Sequence, residues 1–237
     1  MLEKGKINAG EFHILVLVFT IGSSILVAPS LLASTAKQDA WITSIMTVII
    51  SIPFIFLYNR LASLYPNMTF VEYNEKILGK WAGKITSLLY IFYFFIVSSG
   101  MVREMGDFFT TQVLVETPIQ MIMIMFLTVS LIGVRLGLEV ICRTALIFFP
   151  WTIALIFLLI LFLIPEIKLE NIQPILEEGL KPALKGDYHY LGLPFLELAI
   201  FVMIKPYVTD KEKMNKAFYL GTIIGGFILS ILSAFSI

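Results

Sequence analysis

A single cysteine, Cys142, leaves no internal disulfide to form and no thiolate cluster for zinc or iron–sulfur ligation. The two histidines, His13 and His189, lie far apart, and neither a His-x-x-x-His pair nor a Gly-rich phosphate loop occurs. Charge is also scarce. Only 14% of the 237 residues are charged, against about 25% in an average globular domain, and 17 basic residues balance 17 acidic ones. A chain so balanced offers nucleic acid no basic footprint. No nucleophile and base stand together and no metal-ligand set is visible, so an enzyme is the least expected class and no cofactor is expected.

What the sequence has instead is apolar length. Hydrophobic residues make up 58% of it, and several runs reach the ~20 residues that a helix needs to cross a hydrocarbon core about 30 Å thick. Spans are expected at 12–34, 40–58, 85–112, 118–134, 140–164, 188–208 and 214–236. These runs are too long and too uniformly apolar for the alternating strands of a barrel, so the fold class is an all-α polytopic membrane protein. Lys4, Lys6 and the run ending at Ala33-Ser34-Thr35-Ala36 resemble a cleaved signal, but the stretch is longer than a usual signal core and polar residues interrupt it. With the N terminus inside, twelve basic loop residues, Lys205 among them, face the cytoplasm and four face outward, which predicts that orientation. The 59–84 connection then lies inside and carries a short amphipathic helix, and the acidic 165–187 loop lies outside as a solvated connection.

Irregular backbone is tolerated at membrane depth only where protein buries it or a cavity uses it. Gly22-Ser23-Ser24 interrupts the first run, and with Pro29 it predicts an unwound stretch from Gly22 to Pro29 followed by a second half-helix. Gly192, Pro194 and Glu197 interrupt the sixth run, which Pro206 ends. Singly, each break is explained by close packing or a kink. As a pair at the openings of two successive five-span units, they point to a binding site where helix N-termini meet a carboxylate and freed carbonyls meet an ammonium or cation, as an amino acid requires.

Intramembrane charges are the second signal, because each costs about 2.5–3.5 kcal/mol at the bilayer centre. Glu197 lies deepest, as a proton acceptor, a ligand contact or a protonated carboxyl bonded to nearby backbone. Tyr93, Gly100, Glu104, Asp107 and Thr111 form one polar stripe on the third span, and Arg103 with Asp107 forms an i,i+4 pair that first of all neutralises itself. Glu139 and Arg143 read as a structural pair, Trp41, Trp81 and Trp151 include interface anchors, and His13 reads as an interface residue.

Several segments carry a resemblance. Ile7-Asn8-Ala9-Gly10-Glu11-Phe12, Gly22-Ser23-Ser24-Ile25-Leu26, Tyr65-Pro66-Asn67-Met68-Thr69-Phe70, Ile77-Leu78-Gly79-Lys80 and Glu116-Thr117-Pro118 come first. Arg135-Leu136-Gly137-Leu138-Glu139-Val140 with Arg143-Thr144, Phe148-Phe149-Pro150, Pro174-Ile175-Leu176-Glu177-Glu178-Gly179 and Pro194-Phe195-Leu196-Glu197 follow in order. Together they resemble the B subunit of endospore germinant receptors.

The resemblance implies membership of the amino acid–polyamine–organocation superfamily, with a five-plus-five inverted repeat and a ligand site between broken spans one and six. It implies a spore inner-membrane subunit that works with an A subunit and a lipoprotein C subunit and senses a small nutrient, such as an amino acid. By that analogy Gly22, Ser23, Ser24 and Ile25 meet the ligand's backbone groups, Phe195, Leu196 and Glu197 lie opposite, and Tyr93, Val97 or Gly100 closes one side. Glu104, Asp107 and Glu197 are the candidate proton or polar relay. Residues 1–164 then form the first repeat, 165–187 the outer loop and 188–237 two spans of an incomplete second repeat in a single transmembrane domain. The functions in play are a nutrient receptor subunit, a proton-coupled amino acid transporter, or a structural remnant without ligand.

Overall fold

The computed structural model describes residues 5–22, 24–66, 68–166, 177 and 179–235. Among these it is helical throughout and contains no strand, only a parallel bridge between Ile7 and Val208.

The first span is broken as expected. Helix α1 (Ala9–Ile21) opens on a capping box: Glu11 N–H donates to Asn8 Oδ1 at 2.9 Å and Asn8 N–H donates to Glu11 Oε2 at 2.8 Å. It ends at Gly22, whose N–H reaches the Val18 carbonyl; a Cβ there would stand 2.9 Å from the Phe19 carbonyl oxygen. Helix α2 (Ser24–Ala36) resumes at once and contains Pro29. The expected unwound stretch from Gly22 to Pro29 is thus corrected: the chain is helical again from Ser24 and runs through Pro29. A proline inside a helix removes one N–H donor and crowds the carbonyl four residues before it, here that of Ile25, yet α2 runs on through it.

At Lys37, with φ 50°, the chain turns into α3 (Ala40–Leu64), which packs back on α2 and runs six residues beyond the expected 58. The expected amphipathic helix is α4 (Phe70–Leu78), started by a Thr69–Glu72 capping box. The two hydrogen bonds from Thr69 hold the Glu72 carboxyl below its usual range. Helix α4 lies tightly on α5 (Lys80–Phe108): a Cβ at Gly83 would stand 2.5 Å from Glu75 Cα, and Asn74 donates to Ser87 Oγ at 3.2 Å.

Helices α6 (Ile119–Leu136) and α7 (Leu138–Leu163) follow, joined at Gly137, whose φ of 93° is a conformation glycine adopts without strain. Helix α8 (Leu180–Tyr190) then begins eight residues earlier than the sequence pattern suggests. Its Lys185 and Asp187 hid that start, because a charge pattern reads as a loop until a partner for the charge is seen. The sixth span continues as a π-helical stretch Leu191–Leu196, a 3₁₀ stretch Glu197–Ile200, the single turn α9 (Phe201–Ile204) and a 3₁₀ turn Lys205–Tyr207. Helix α10 (Lys211–Phe235) closes the described chain, with Asp210 Oδ1 accepting from Lys213 N–H at 3.2 Å.

Among the described residues, six stretches are long and apolar enough to cross a membrane: 24–64, 80–113, 119–136, 138–163, 183–207 and 211–235. The shorter apolar helix α1 and the bend in 24–64 account for the seventh expected span. The core gathers α1, α2, α3 and α8 to α10 around Phe12, Leu32, Tyr190, Phe195, Phe201 and Phe218, while α5, α6 and α7 turn nearly all their apolar side chains outward. Backbone pairing ties both ends of this core together: Ile7 N–H donates to the Tyr207 carbonyl and Thr209 N–H donates to the Ile7 carbonyl.

Candidate functional site

The break in the first span and the irregular stretch of the sixth lie against each other, since α1 and α2 both touch Leu191–Leu196. Pro194 has no N–H to give, and the wider π turn around it accommodates that loss. Carbonyls released from regular bonding are therefore available here; that of Leu196 accepts from Tyr58 Oη at 3.3 Å. Ser24, buried, stands at the N-terminus of α2, where the helix dipole favours negative charge.

Glu197 lies half-buried in a cleft of about 410 Å³ between α1, α5 and the 3₁₀ stretch, lined by Phe19, Phe94, Val97, Ser98 and Met101. No hydrogen bond to its carboxyl forms among the described residues, and Glu104 and Tyr93 are near enough to interact with it electrostatically. Tyr93 lines a neighbouring cleft of about 480 Å³ with Tyr58, Tyr90 and Leu196. Gly22 and Ile25 line a third, apolar groove of about 280 Å³ against Thr152, Leu155 and Ile156 of α7.

The expected residues thus divide. Val97 and Glu197 share one cleft, Tyr93 and Leu196 the next, and Gly22 with Ile25 a groove on the α7 side. Phe195 is fully buried, edge-on to Tyr190 and close to Gly226, and faces the core and none of these clefts. Gly100 is exposed with open space where a Cβ would be. Ser23 lies outside the described residues. Asp107 accepts from Arg103 Nε at 2.8 Å on the exposed face of α5, the self-neutralising pair expected there, and Glu139 pairs with Arg143 in the same i,i+4 way.

Three buried charge-bearing groups were not singled out in the sequence: Asp39, at the turn between α2 and α3, Asp187 and Lys205. Asp187, placed in a solvated loop by its neighbours, is buried in α8 and accepts from Thr47 Oγ1 at 2.6 Å. Lys205, counted with the basic loop residues, is 3% exposed within the sixth span, its Nζ donating to Asn59 Oδ1. The signal was the span boundary: a charged residue one or two turns inside a helix end reads as loop unless its partner is known. His13 Nδ1 contacts the Ala217 carbonyl of α10 at 3.1 Å.

Comparison with known proteins places these elements. The family model described as spore germination protein matches residues 6–237. Spore germination protein KB of Bacillus subtilis (strain 168) is 30% identical over 239 aligned residues, covering 100% of this chain and 63% of the relative. Spore germination protein A2 of the same organism is 30% identical, and YndE 26% identical, each over 92% of this chain and 60% of the relative. The chain thus spans less than two thirds of the length of these relatives. No solved structure matches it. With six candidate spans among its described, helical residues and a family match almost end to end, the chain is an integral membrane protein and belongs to the family of spore germination permeases.

Proposed function

We propose that this chain is the membrane subunit of a nutrient-germinant receptor, which binds a small nutrient, an amino acid, between the break of the first span and the irregular stretch of the sixth. The observation that carries this reading is Glu197, a carboxyl in an intramembrane cleft with no hydrogen-bond donor engaged among the described residues, beside backbone freed from helical bonding. The N-terminus of α2 at Ser24 suits the ligand's carboxylate, and Glu197 with the freed carbonyls suits its ammonium. Binding that favours one arrangement of the two broken spans would pass to the A and C subunits as a shift of conformational population, and so start germination.

The test replaces the chromosomal copy with Ser23→Ala, Ser24→Ala or Glu197→Gln and measures amino acid-triggered germination at matched protein level. Glu197→Gln should lower the response at least tenfold, corresponding to about 1.4 kcal/mol of lost ligand binding. An unchanged response in all three variants would place the site elsewhere. The proximity of Glu104 to Glu197 also supports proton-coupled transport. Accumulation of labelled amino acid driven by a pH gradient, abolished by Glu197→Gln, would identify a transporter; binding without accumulation would identify a sensor.

A further inference from the structure

At the end of the helix bundle that carries α4, a cavity of about 190 Å³ is enclosed by the end of α3, by Tyr65 and Tyr73, by Val202 and Lys205, and by the first turn of α10. Its walls are mostly apolar. Two lysines line it, the buried Lys205 and the exposed Lys211, and no aspartate or glutamate does.

Lys205 is the unusual member. It is 3% exposed, its ammonium donates to Asn59 Oδ1 and stands 4.9 Å from the centre of the Phe218 ring, and among the described residues no carboxylate pairs with it. An ammonium has three donors, and buried charges are ordinarily paired because desolvation otherwise costs several kcal/mol. Tyr73 adds a second open valence: it is 2% exposed, lines the same cavity, and its hydroxyl has no hydrogen-bond partner among the described residues.

We infer that this cavity binds a small free carboxylate, held by the Lys205 ammonium and the Tyr73 hydroxyl with its apolar part against Val202 and Met214. A carboxylate fits because it supplies a negative charge for the unpaired Lys205 ammonium and accepts from two donors at once, whereas a cation would enter a site lined by two lysines and no acid. The small, apolar-walled volume suits a free molecule of a few heavy atoms. Lys205 lies eight residues beyond Glu197, about 12 Å along the span, so the site is separate from the cleft proposed for the nutrient and stands whether or not that proposal does.

The test uses the purified full chain in lipid nanodiscs and follows its melting temperature as acetate replaces chloride at constant ionic strength. Wild type should be stabilised saturably by acetate. Lys205→Met should abolish the acetate-specific shift, and Tyr73→Phe, which removes one hydroxyl and keeps the ring, should raise the half-saturating acetate concentration about fivefold, the equivalent of one hydrogen bond of about 1 kcal/mol. The inference is overturned if acetate does no more than chloride in wild type, as when a carboxylate from another protein segment already fills the cavity. It is equally overturned if Lys205→Met responds like wild type, or if Tyr73→Phe, which does not depend on the lysine variant folding, leaves half-saturation unchanged.

Discussion

Thr47 donates to Asp187 at 2.6 Å, and Ser44 to Ser230 at 2.7 Å, both pairs buried between helices that are far apart in sequence. Such contacts have limited worth inside a membrane protein, about 0.6 kcal/mol on average and up to about 1.7. The Thr47–Asp187 bond belongs at the upper end, because its acceptor is a buried carboxyl. Thr47→Val keeps the shape and removes the donor, and should lower unfolding stability in detergent by about 1–2 kcal/mol, whereas Thr128→Val, on an exposed face of α6, should change it by less than about 0.5 kcal/mol. Denaturant unfolding of the two variants checks the contrast. At this scale the sequence was partly legible: Glu197 stood out because nothing near it in the chain is charged. Asp187 and Lys205 did not, because the first lies in a charged stretch, the second stands next to the Pro206 that ends the run, and the partner of each lies more than a hundred residues away.

Helix pairs are held by features of another kind. Gly221 and Gly225 of α10 face α1 so closely that a Cβ would stand 2.8 Å from Val16 Cγ1 and 2.8 Å from Thr20 Cβ respectively. The four-residue spacing puts both on one face, the arrangement by which membrane helices approach without the help of a hydrophobic effect. Gly225→Leu should therefore force α1 away from α10 and cost about 1–3 kcal/mol, while Gly100→Leu, with open space around it, should be tolerated; thermal unfolding of both variants in the same detergent decides the point. Helix α4 carries a pH-dependent element. The Glu72 carboxyl is held below its usual range by the backbone N–H and side chain of Thr69, so the cap is complete above the ordinary carboxylate value and is lost as pH falls through the depressed one. Amide exchange at the start of α4 should accelerate in that acidic window more than the chemistry of exchange alone predicts, and Glu72→Gln should remove the extra step. Both capping boxes were present in the sequence as Asn8 with Glu11 and Thr69 with Glu72, whereas the closeness of α1 to α10 depends on which face of α10 turns inward.

Across the whole molecule, the order of spans and the two broken ones followed from apolar run length and from the positions of Gly22 and Pro194, because membrane helices must satisfy their own backbones and interruptions are costly. The grouping of those spans did not follow. Nothing in a uniformly apolar run tells which of its faces meets protein, and the structure divides them unevenly: α1, α3 and α10 each turn one face into the core, while α5, α6 and α7 present Phe95, Val129 and Trp151 outward. Trp151 is the direct probe of what covers that face. It lies 13 residues into α7, about 20 Å along a helix of about 39 Å, so its ring sits near mid-membrane, and it is 69% exposed. With Trp41→Phe and Trp81→Phe, emission comes from Trp151 alone. Reconstituted into lipids brominated on their acyl chains, that protein should lose more than half of the emission it shows in unbrominated lipid, because acyl chains then touch the indole. Emission that survives bromination would mean that protein, and not lipid, covers α7.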